Sequence, residues 1–406
     1  MSPKRSIGKN FRSVWLSVMV SSAGDGMFLT AFPLLAAILT RDPILIAGVT
    51  IASRLPWLMF SLFTGALADR MDRRKLMIGA DLIRLVLVGL LGIAILTDVV
   101  DIWMLYFSAF LLGTCETLHV NAAQGLIPAI VKPEDLLEAN ARFASGQIVA
   151  AQFIGPPLGV AMFNVSMSLP FLADAATFAG SAALVSRVPD EHAVEPPTTK
   201  ILSDIKEGIR YTIETLSLRR LTEILTVVNF FYFAANSLLV LYNEDLLGGN
   251  KITFTALSVG AASGTVISRF FLDKVTTKLG KTRTLEVSLW AWAVATIGLA
   301  VAWEPILAIV MHLVLGLGSG WWIALNTTLR QQITPIRMLG RMNAVSRTVT
   351  WGIVPFGALF GGVAGRVFGL RGPFIISAVV MTGYALFAKR LLKPVEHDIS
   401  RLDIRA

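Results

Sequence analysis

The chain has 406 residues, of which 54% are hydrophobic and only 16% are charged, and its mean hydropathy is +0.67. Soluble domains carry about 25% charged residues, so a water-soluble fold of this length is excluded and much of the chain must face lipid. The net charge of +9 is distributed in short clusters between apolar segments. That pattern is typical of membrane topology and excludes a nucleic-acid-binding surface.

The chemistry-bearing residues are few. The single cysteine, Cys115, excludes an internal disulfide, and the four histidines lack the spacing of metal ligands. Gly280, Lys281 and Thr282 resemble the end of a nucleotide-binding loop, but Val275 stands where its first glycine is required. No arrangement of nucleophile, base and acid indicates an enzyme. We therefore expect no metal and no cofactor, with an ion gradient as the energy source.

Apolar windows of bilayer length follow one another along almost the whole chain. A bilayer core of ~30 Å takes about 20 helical residues, which predicts about twelve spans. The first follows the basic N-terminus and is too long for a signal peptide, so we expect it to be retained. The predicted spans lie near 14–38, 44–68, 76–97, 102–127, 142–164, 168–187, 221–243, 253–273, 283–302, 305–328, 342–366 and 371–392.

Basic residues concentrate in alternate loops, which predicts that both termini are cytoplasmic. The longest connection, near 188–220, divides the spans six and six. Its second part repeats Ile201, Ile205, Ile209 and Ile213 at helical spacing, as in an amphipathic helix. Such a helix lies on the cytoplasmic membrane surface or packs beneath the two halves, and the sequence leaves both interpretations open.

The two halves repeat one another. Asn121 and Asn326 close corresponding spans, Asn140 and Asn343 open the next, and all such pairs are about 205 residues apart. A constant offset indicates duplication, as in two-lobed transporters. The sequence therefore predicts an all-α membrane protein with twelve transmembrane helices in two pseudo-symmetric lobes. These are a lobe over 1–190, a linker over 191–220 and a lobe over 221–406.

The most specific local pattern follows the second span. It combines a glycine, an acid and a series of arginines, at Gly65, Asp69, Arg70, Arg73 and Arg74. Glycine permits close helix contact, the acid suits a helix N-terminus and the arginines suit an anionic leaflet. The segment resembles the signature loop of the major facilitator superfamily. Further stretches, such as Arg54 to Trp57 and Asp174 to Phe178, resemble the branch that includes the enterobactin exporter, macrolide efflux proteins and Tap-like mycobacterial multidrug pumps.

Charged groups inside a membrane are the first candidates for function, because each costs several kcal/mol unless it is paired or hydrated. Asp25 lies about 17 Å into the first span, and Arg54 lies at a similar depth in the second. We expect these two to form a pair that switches with protonation, or else a static structural pair. Glu116 is the second candidate for proton coupling, and a structural role for it is an equal alternative.

The acid and the base at Asp81 and Arg84 share one helical face and are expected close to the cytoplasm. With the signature loop they predict an inner gate, whose members are Gly65, Asp69, Arg70, Arg73, Arg74, Asp81, Arg84, Arg341 and Arg347. The segment at Gly155, Pro156 and Gly159 resembles the antiporter motif of the superfamily, which implies export. Residues of middle depth predict a substrate cavity, formed by Phe28, Phe32, Gln147, Asn229, Phe233, Asn236, His312, Trp321, Trp322 and Trp351.

The sequence therefore predicts a proton-coupled antiporter that exports drug-like or siderophore-like amphipathic solutes by alternating access. It is expected in the plasma membrane of a bacterium as a monomer whose partners are its substrate and the bilayer. A proton symporter that imports a metabolite is one alternative, and a lipid flippase or membrane sensor is another. The sequence also leaves open whether sodium replaces the proton.

Overall fold

The structure of the chain is a computed structural model that describes residues 8–132, 135–189 and 201–403. Within its helices, the side chains at 62, 66, 69, 70, 128, 137, 201–205, 336, 337 and 400–403 lie outside the description. All regular secondary structure in the described residues is helical, which confirms the predicted all-α fold class.

The described residues of the first half of the chain form seven helices and one π-helical turn. They are α1 Lys9–Leu39, α2 Pro43–Arg70, α3 Arg73–Leu96, α4 Ile102–Ile130, α5 Leu136–Ile148, the π-helical segment Val149–Ile154, α6 Gly155–Val165 and α7 Leu169–Val185. Two of these helices begin at aspartate caps, because Asp72 and Asp101 accept hydrogen bonds from the free amides of the first turn.

The second half contains ten helices and a second π-helical turn. They are α8 Ile201–Glu214, α9 Leu216–Asn236, α10 Leu239–Leu241, the π-helical segment Tyr242–Leu246, α11 Lys251–Leu279, α12 Lys281–Val301, α13 Pro305–Ile333, α14 Ile336–Gly352, α15 Val354–Phe368, α16 Gly372–Leu386 and α17 Ala388–Asp403. Gly280, at a φ of +82°, supplies the left-handed residue that separates α11 from α12.

Eight helical segments of the described chain are long and apolar enough to cross a membrane. Two further spans are bent by 49°, at the junctions of α9 with α10 and of α16 with α17. The remaining two predicted spans correspond to α7, a shorter apolar helix, and to α4, whose 29 residues include Glu116 and His119. The chain is therefore a multi-pass membrane protein, and each of the twelve predicted spans corresponds to a helix or a helix pair among the described residues.

The chain divides into two compact units. The first comprises residues 1–40 and 52–197, and the second comprises residues 41–51 and 198–406. The main boundary falls within the connection that the sequence predicts as a linker, and α8 belongs to the second unit. Each unit has its own apolar core. In the first, Met77, Ala122 and Leu126 are buried together, and in the second, Leu221, Leu285 and Trp322 are buried together.

The linker helix has two different faces. Glu207 on α8 forms an ion pair with Arg341 on α14, which ties one side of the helix to the second unit. Ile209 and Ile213 remain 43% and 56% exposed. A packed face and an exposed apolar face on one helix agree with both interpretations that the sequence leaves open. Ile201 and Ile205 belong to the pattern, but their side chains lie outside the described residues.

Candidate functional site

The first unit contains a buried cluster of charged side chains that four helices bring together. Asp25 projects from α1, Arg84 from the middle of α3, Glu116 from α4 and Asp174 from α7. These helices are otherwise apolar, so the cluster lies in surroundings of low polarity, where charges interact more strongly than in water.

Asp25 is paired with Arg84. One Nη of the guanidinium lies 2.7 Å from Oδ1 of Asp25, and the Arg84 side chain is only 5% exposed. The Arg84 guanidinium also stacks over the ring of Phe178, 4.1 Å from its centroid. This contact fixes the plane of the guanidinium and supplies a cation–π interaction.

The predicted pairing of Asp25 with Arg54 is therefore wrong. Arg54 is half-buried on α2 and makes no hydrogen bond or ion pair with any residue that the structure describes. Depth along a helix leaves both arginines as candidates, whereas the packing of α3 near α1 selects Arg84. The expected position of Asp81 and Arg84 near the cytoplasmic end is wrong for the same reason, because they lie in the central part of α3, at the level of Asp25.

Asp81 is the most deeply buried acid of the cluster and is fully shielded from solvent. The Ser181 hydroxyl donates a 2.6 Å hydrogen bond to its Oδ2. Its Oδ1 lies 3.5 Å from Nε2 of His119 and 3.6 Å from Nη1 of Arg84. Arg84 thus stands between two carboxylates, close to Asp25 and further from Asp81, and His119 supplies a second basic group.

A cavity of about 60 Å³ opens beside the pair. That volume has room for a few water molecules. Its wall includes Asp25, Arg84, Glu116, His119 and Gln147, so Glu116 and His119 face the same space. The indole N–H of Trp57 lies 3.5 Å from a carboxylate oxygen of Glu116, at the limit of a hydrogen bond.

Asp174 is a further buried acid, only 1% exposed. Its carboxylate accepts a 3.2 Å hydrogen bond from the Thr177 hydroxyl on its own helix, and it packs against the Cα of Gly24, where any side chain would collide with it. The structure places Asp174 in the contact between α1 and α7, against Gly24, which precedes Asp25 in the chain.

The charges of the cluster do not balance. The acids Asp25, Asp81, Glu116 and Asp174 share only Arg84 and His119 as basic partners within the described residues. A surplus of ionised carboxylates in a poorly polar site is costly. The cluster is therefore suited to taking up protons or another small cation, and the cavity beside it provides access.

The segment resembling the antiporter motif forms a close contact between α6 and α1. A Cβ atom at Gly155 would lie only 2.6 Å from both the Ala23 carbonyl oxygen and the Cα of Gly26. Gly159 packs similarly on Met27. The π-helical turn immediately precedes this crossing, and the predicted fifth span is therefore divided into α5, the π-helical turn and α6. These small residues hold α6 directly behind the turn of α1 that carries Asp25.

Two of the predicted gate residues bind backbone carbonyls at helix ends of the first unit. Arg73 donates hydrogen bonds to the carbonyls of Ala68 and Gly125, and Arg74 donates one of 2.6 Å to the carbonyl of Ser186. Arginines of the signature loop thus tie α3 to the ends of neighbouring helices in the first unit. The side chains of Asp69 and Arg70 lie outside the described residues.

Three members of the predicted substrate cavity belong to the packed core instead. Phe32 stacks on Phe28 at 4.4 Å and is 4% exposed, His312 is 3% exposed, and Trp322 is fully buried against Trp292. Aromatic and histidine residues at mid-depth are equally suited to filling a bundle core, and sequence depth does not separate the two roles. The prediction that these three line a cavity is wrong.

Other members of that prediction remain candidates. In the second unit, the rings of Phe233 and Trp351 lie 6.3 Å apart, and Asn229 donates a 2.7 Å hydrogen bond to the carbonyl of Thr350. Trp351 is 46% exposed. Asn236 is half-buried, and Trp321 donates to the carbonyl of Ser268. In the first unit only Gln147 lies on the cavity wall beside Asp25.

Sequence reasoning misses two residues that complete the cluster, Phe178 and Ser181. They follow Asp174 at one and two helical turns, so all three lie on one face of α7. That spacing is visible in the sequence. It carries meaning only once α7 is known to pack against α1 and α3, because serine and phenylalanine are ordinary residues of an apolar helix.

A family model described as transmembrane secretion effector matches residues 2–403. Macrolide efflux protein A of Streptococcus pyogenes is 21% identical over 401 residues, which cover 97% of this chain and 98% of that protein. The multidrug efflux pump Tap of Mycolicibacterium fortuitum is 24% identical over 415 residues, which cover 95% of this chain and 97% of that protein. A crystal structure of a mutant nucleoside transporter NupG has a TM-score of 0.79 at 9% identity, over 94% of this chain and all of that one. The last similarity concerns the fold alone.

Proposed function

We propose that this chain, which belongs to the transmembrane secretion effector family within the major facilitator superfamily, is a proton-coupled exporter of drug-like amphipathic solutes. The names of its relatives, macrolide efflux protein and multidrug efflux pump, support the direction of transport and the class of substrate. The observation that carries the proposal is the pair of half-buried Asp25 with buried Arg84, in a cluster with more acids than bases and bordered by a cavity.

The mechanism follows from the position of Arg84 between two carboxylates. With Asp25 ionised, its 2.7 Å contact ties α1 to α3. Protonation of Asp25 removes that attraction. Arg84 then keeps only Asp81 as an ionised partner, 3.6 Å away on its own helix. The proton thus loosens the connection between α1 and α3. Because α6 is packed against the same turn of α1, a change at Asp25 is transmitted to the crossing of α1 and α6.

The exported solute exchanges for the proton in this scheme, so the protein needs no cofactor and no covalent chemistry. Energy comes from the proton gradient across the plasma membrane. The two units provide the alternating access that this superfamily uses. The exposed aromatic surface at Trp351, with Phe233 beside it, suits the apolar part of a large amphipathic solute, and Asn229 suits its polar part. We expect a single chain to be sufficient for transport.

The test compares Asp25→Asn with Asp98→Asn in everted membrane vesicles. The matched control makes the same chemical change at an exposed loop residue, and its φ of 55° is one that asparagine tolerates. Vesicles with an acidified interior are given erythromycin or ethidium. We expect wild type and the control to accumulate these probes. Accumulation by Asp25→Asn should fall to the background of vesicles that lack the protein. Downhill exchange of preloaded probe should survive in Asp25→Asn, because substrate binding does not require the carboxylate.

Three outcomes would oppose the proposal. Uphill accumulation by Asp25→Asn at the wild-type rate would remove Asp25 from coupling. Accumulation driven by a sodium gradient without a proton gradient would show that sodium, and not the proton, is the coupling ion. Probe accumulation only with an alkaline interior would indicate import, and with it the symporter alternative.

A further inference from the structure

A line of buried polar side chains runs along α13 in the second unit. Trp322, Asn326 and Arg330 follow one another at successive turns of the helix, and Thr334 lies just beyond its last residue, as the C-terminal cap. Their exposures are 0%, 6%, 8% and 4%. Each has one polar atom without a partner among the described residues, namely Trp322 Nε1, Asn326 Oδ1, Arg330 Nε and Thr334 Oγ1. A buried polar atom without a partner costs about 1–3 kcal/mol, so this concentration needs a physical reason.

Arg330 is the charged member of the line and lacks a counter-charge. Its one hydrogen bond to a described residue runs from Nη2 to the Thr222 hydroxyl oxygen, at 3.1 Å. No carboxylate of the described chain lies within 4.0 Å of its guanidinium. Glu223, which follows Thr222 on α9, is already held by Arg219 and Arg220 at 2.7 and 2.8 Å. The region therefore has an excess of positive charge.

A short chain of hydroxyls begins at the guanidinium. The Thr222 hydroxyl accepts from Arg330, donates to the carbonyl of Leu218 and lies 3.1 Å from the hydroxyl of Ser346 on α14. Three helices therefore meet around the guanidinium. Nη1 of Arg330 makes no hydrogen bond with a described residue and is not among the fully buried atoms, so one edge of the guanidinium reaches the surface.

We propose that Arg330 is the centre of a phosphate-binding site at the end of the second unit that the charge pattern assigns to the cytoplasm. A guanidinium with unbonded N–H groups, flanked by hydroxyls, matches the oxygen atoms of a phosphate. Basic pockets between transmembrane helices on the cytoplasmic side are suited to anionic lipid headgroups. The ligand is thus a phosphate oxyanion, supplied either by an anionic phospholipid or by free phosphate.

The site shares no residue with the proton-coupling cluster, so phosphate binding at Arg330 does not depend on the proposed transport activity. Its role is to stabilise the junction of α9, α13 and α14 when the anion is bound, because binding to the folded state alone raises stability. Arg330 without an anion leaves an unpaired charge among these three helices.

The experiment measures thermal unfolding of the purified full-length chain in neutral detergent, by the fluorescence of its nine tryptophans. Sodium phosphate is compared with sodium chloride at equal ionic strength, and phosphatidylglycerol with phosphatidylcholine at equal lipid content. We expect phosphatidylglycerol, phosphate or both to raise Tm by roughly 2–4 °C, and Arg330→Gln to abolish that rise. Arg210→Gln is the matched control, since Arg210 is 77% exposed and lies on α8, and it should respond like wild type.

The phosphate and lipid comparisons distinguish the two possible sources of the anion. A response to phosphatidylglycerol alone identifies a lipid headgroup, and a response to inorganic phosphate identifies a free anion. The proposal is overturned if wild type responds to neither, or if Arg330→Gln responds as strongly as wild type. Should Arg330→Gln fail to fold, Arg330→Lys takes its place. It retains the charge but loses the planar set of donors, so an undiminished response in that variant would also contradict the proposal.

Discussion

At the scale of single residues, the central feature is one arginine placed between two acids. Arg84 is 5% exposed, pairs with Asp25 at 2.7 Å and lies 3.6 Å from Asp81. Removing one partner of a buried pair leaves an uncompensated charge, which costs about 3–5 kcal/mol, whereas removing both partners is far less costly. The cluster therefore makes a prediction about stability that is separate from transport.

We predict that Arg84→Gln lowers the free energy of unfolding by about 3–5 kcal/mol, because Asp25 and Asp81 lose their shared counter-charge. The double variant Asp25→Asn/Arg84→Gln should recover part of that loss, since it removes one of the two carboxylates and leaves Asp81, which His119 and Ser181 still contact. Thermal unfolding of the purified variants measures both effects. A double variant that is no more stable than Arg84→Gln would show that Asp25 and Arg84 are not energetically coupled.

Neither variant should accumulate probe against a gradient. Recovery of stability without recovery of uphill transport would separate the structural role of the pair from its role in coupling. Uphill transport by the double variant would contradict the mechanism, because the proton-binding carboxylate is then absent.

At the scale of elements, the crossing of α1 and α6 depends on glycine at the point of contact. Gly26 and Gly155 bring the two backbones together, and a Cβ on Gly155 would lie 2.6 Å from the backbone of α1. Backbone atoms cannot move aside as flexible side chains do, so the two helices would have to separate. The crossing lies beside the turn that carries Asp25, so a displacement there should disturb both stability and coupling.

We predict that Gly155→Ala destabilises the protein by about 1–3 kcal/mol, the usual cost of overpacking. The control is Gly79→Ala in α3, where an added Cβ meets no atom within 4 Å. That variant should be neutral or stabilising by up to about 1 kcal/mol, because alanine favours a helix more than glycine does. Tm measurements on both variants check the difference. Equal Tm values for Gly155→Ala and Gly79→Ala would contradict the close crossing.

Element boundaries show where sequence patterns are sufficient. The aspartate cap at Asp72 and the left-handed Gly280 have local causes, and each coincides with a predicted junction between spans. The π-helical turn Val149–Ile154 has no such local signal, because its residues are ordinary ones for a membrane helix. The sequence pattern also gives no sign of the separate helix α17. Its residues Leu392 and Val395 are fully buried in the core of the second unit.

At the scale of the whole molecule, the predicted orientation has a direct test. Alternate loops are rich in lysine and arginine, which predicts that both termini lie in the cytoplasm. We expect green fluorescent protein fused to the C-terminus to fluoresce, and alkaline phosphatase at the same position to be inactive. Alkaline phosphatase fused after Asp98, in a loop of the opposite set, should be active. The reverse result would invert the topology and contradict the cytoplasmic assignment of the Arg330 site.

The sequence by itself determines the environment of this protein and the number of its spans. A bilayer of fixed thickness demands helices of about 20 apolar residues, so length and hydropathy are sufficient. The candidates Asp25 and Glu116 are visible in the same way, because a charge inside a span is rare. The glycine, proline and arginine patterns further establish the superfamily, whose fold the comparison structures share.

Only the tertiary structure decides which of these residues meet. Asp25 has two arginines at comparable depth, and the packing of α3 near α1 selects Arg84 and leaves Arg54 aside. The same packing brings Ser181 and Phe178 into the cluster and places Trp322 and His312 in the core. The reason is physical. Hydropathy indicates how deep in the membrane a residue lies. Ion pairs and cavities depend instead on how each helix is rotated about its axis relative to its neighbours. That rotation follows from contacts between residues far apart in the chain.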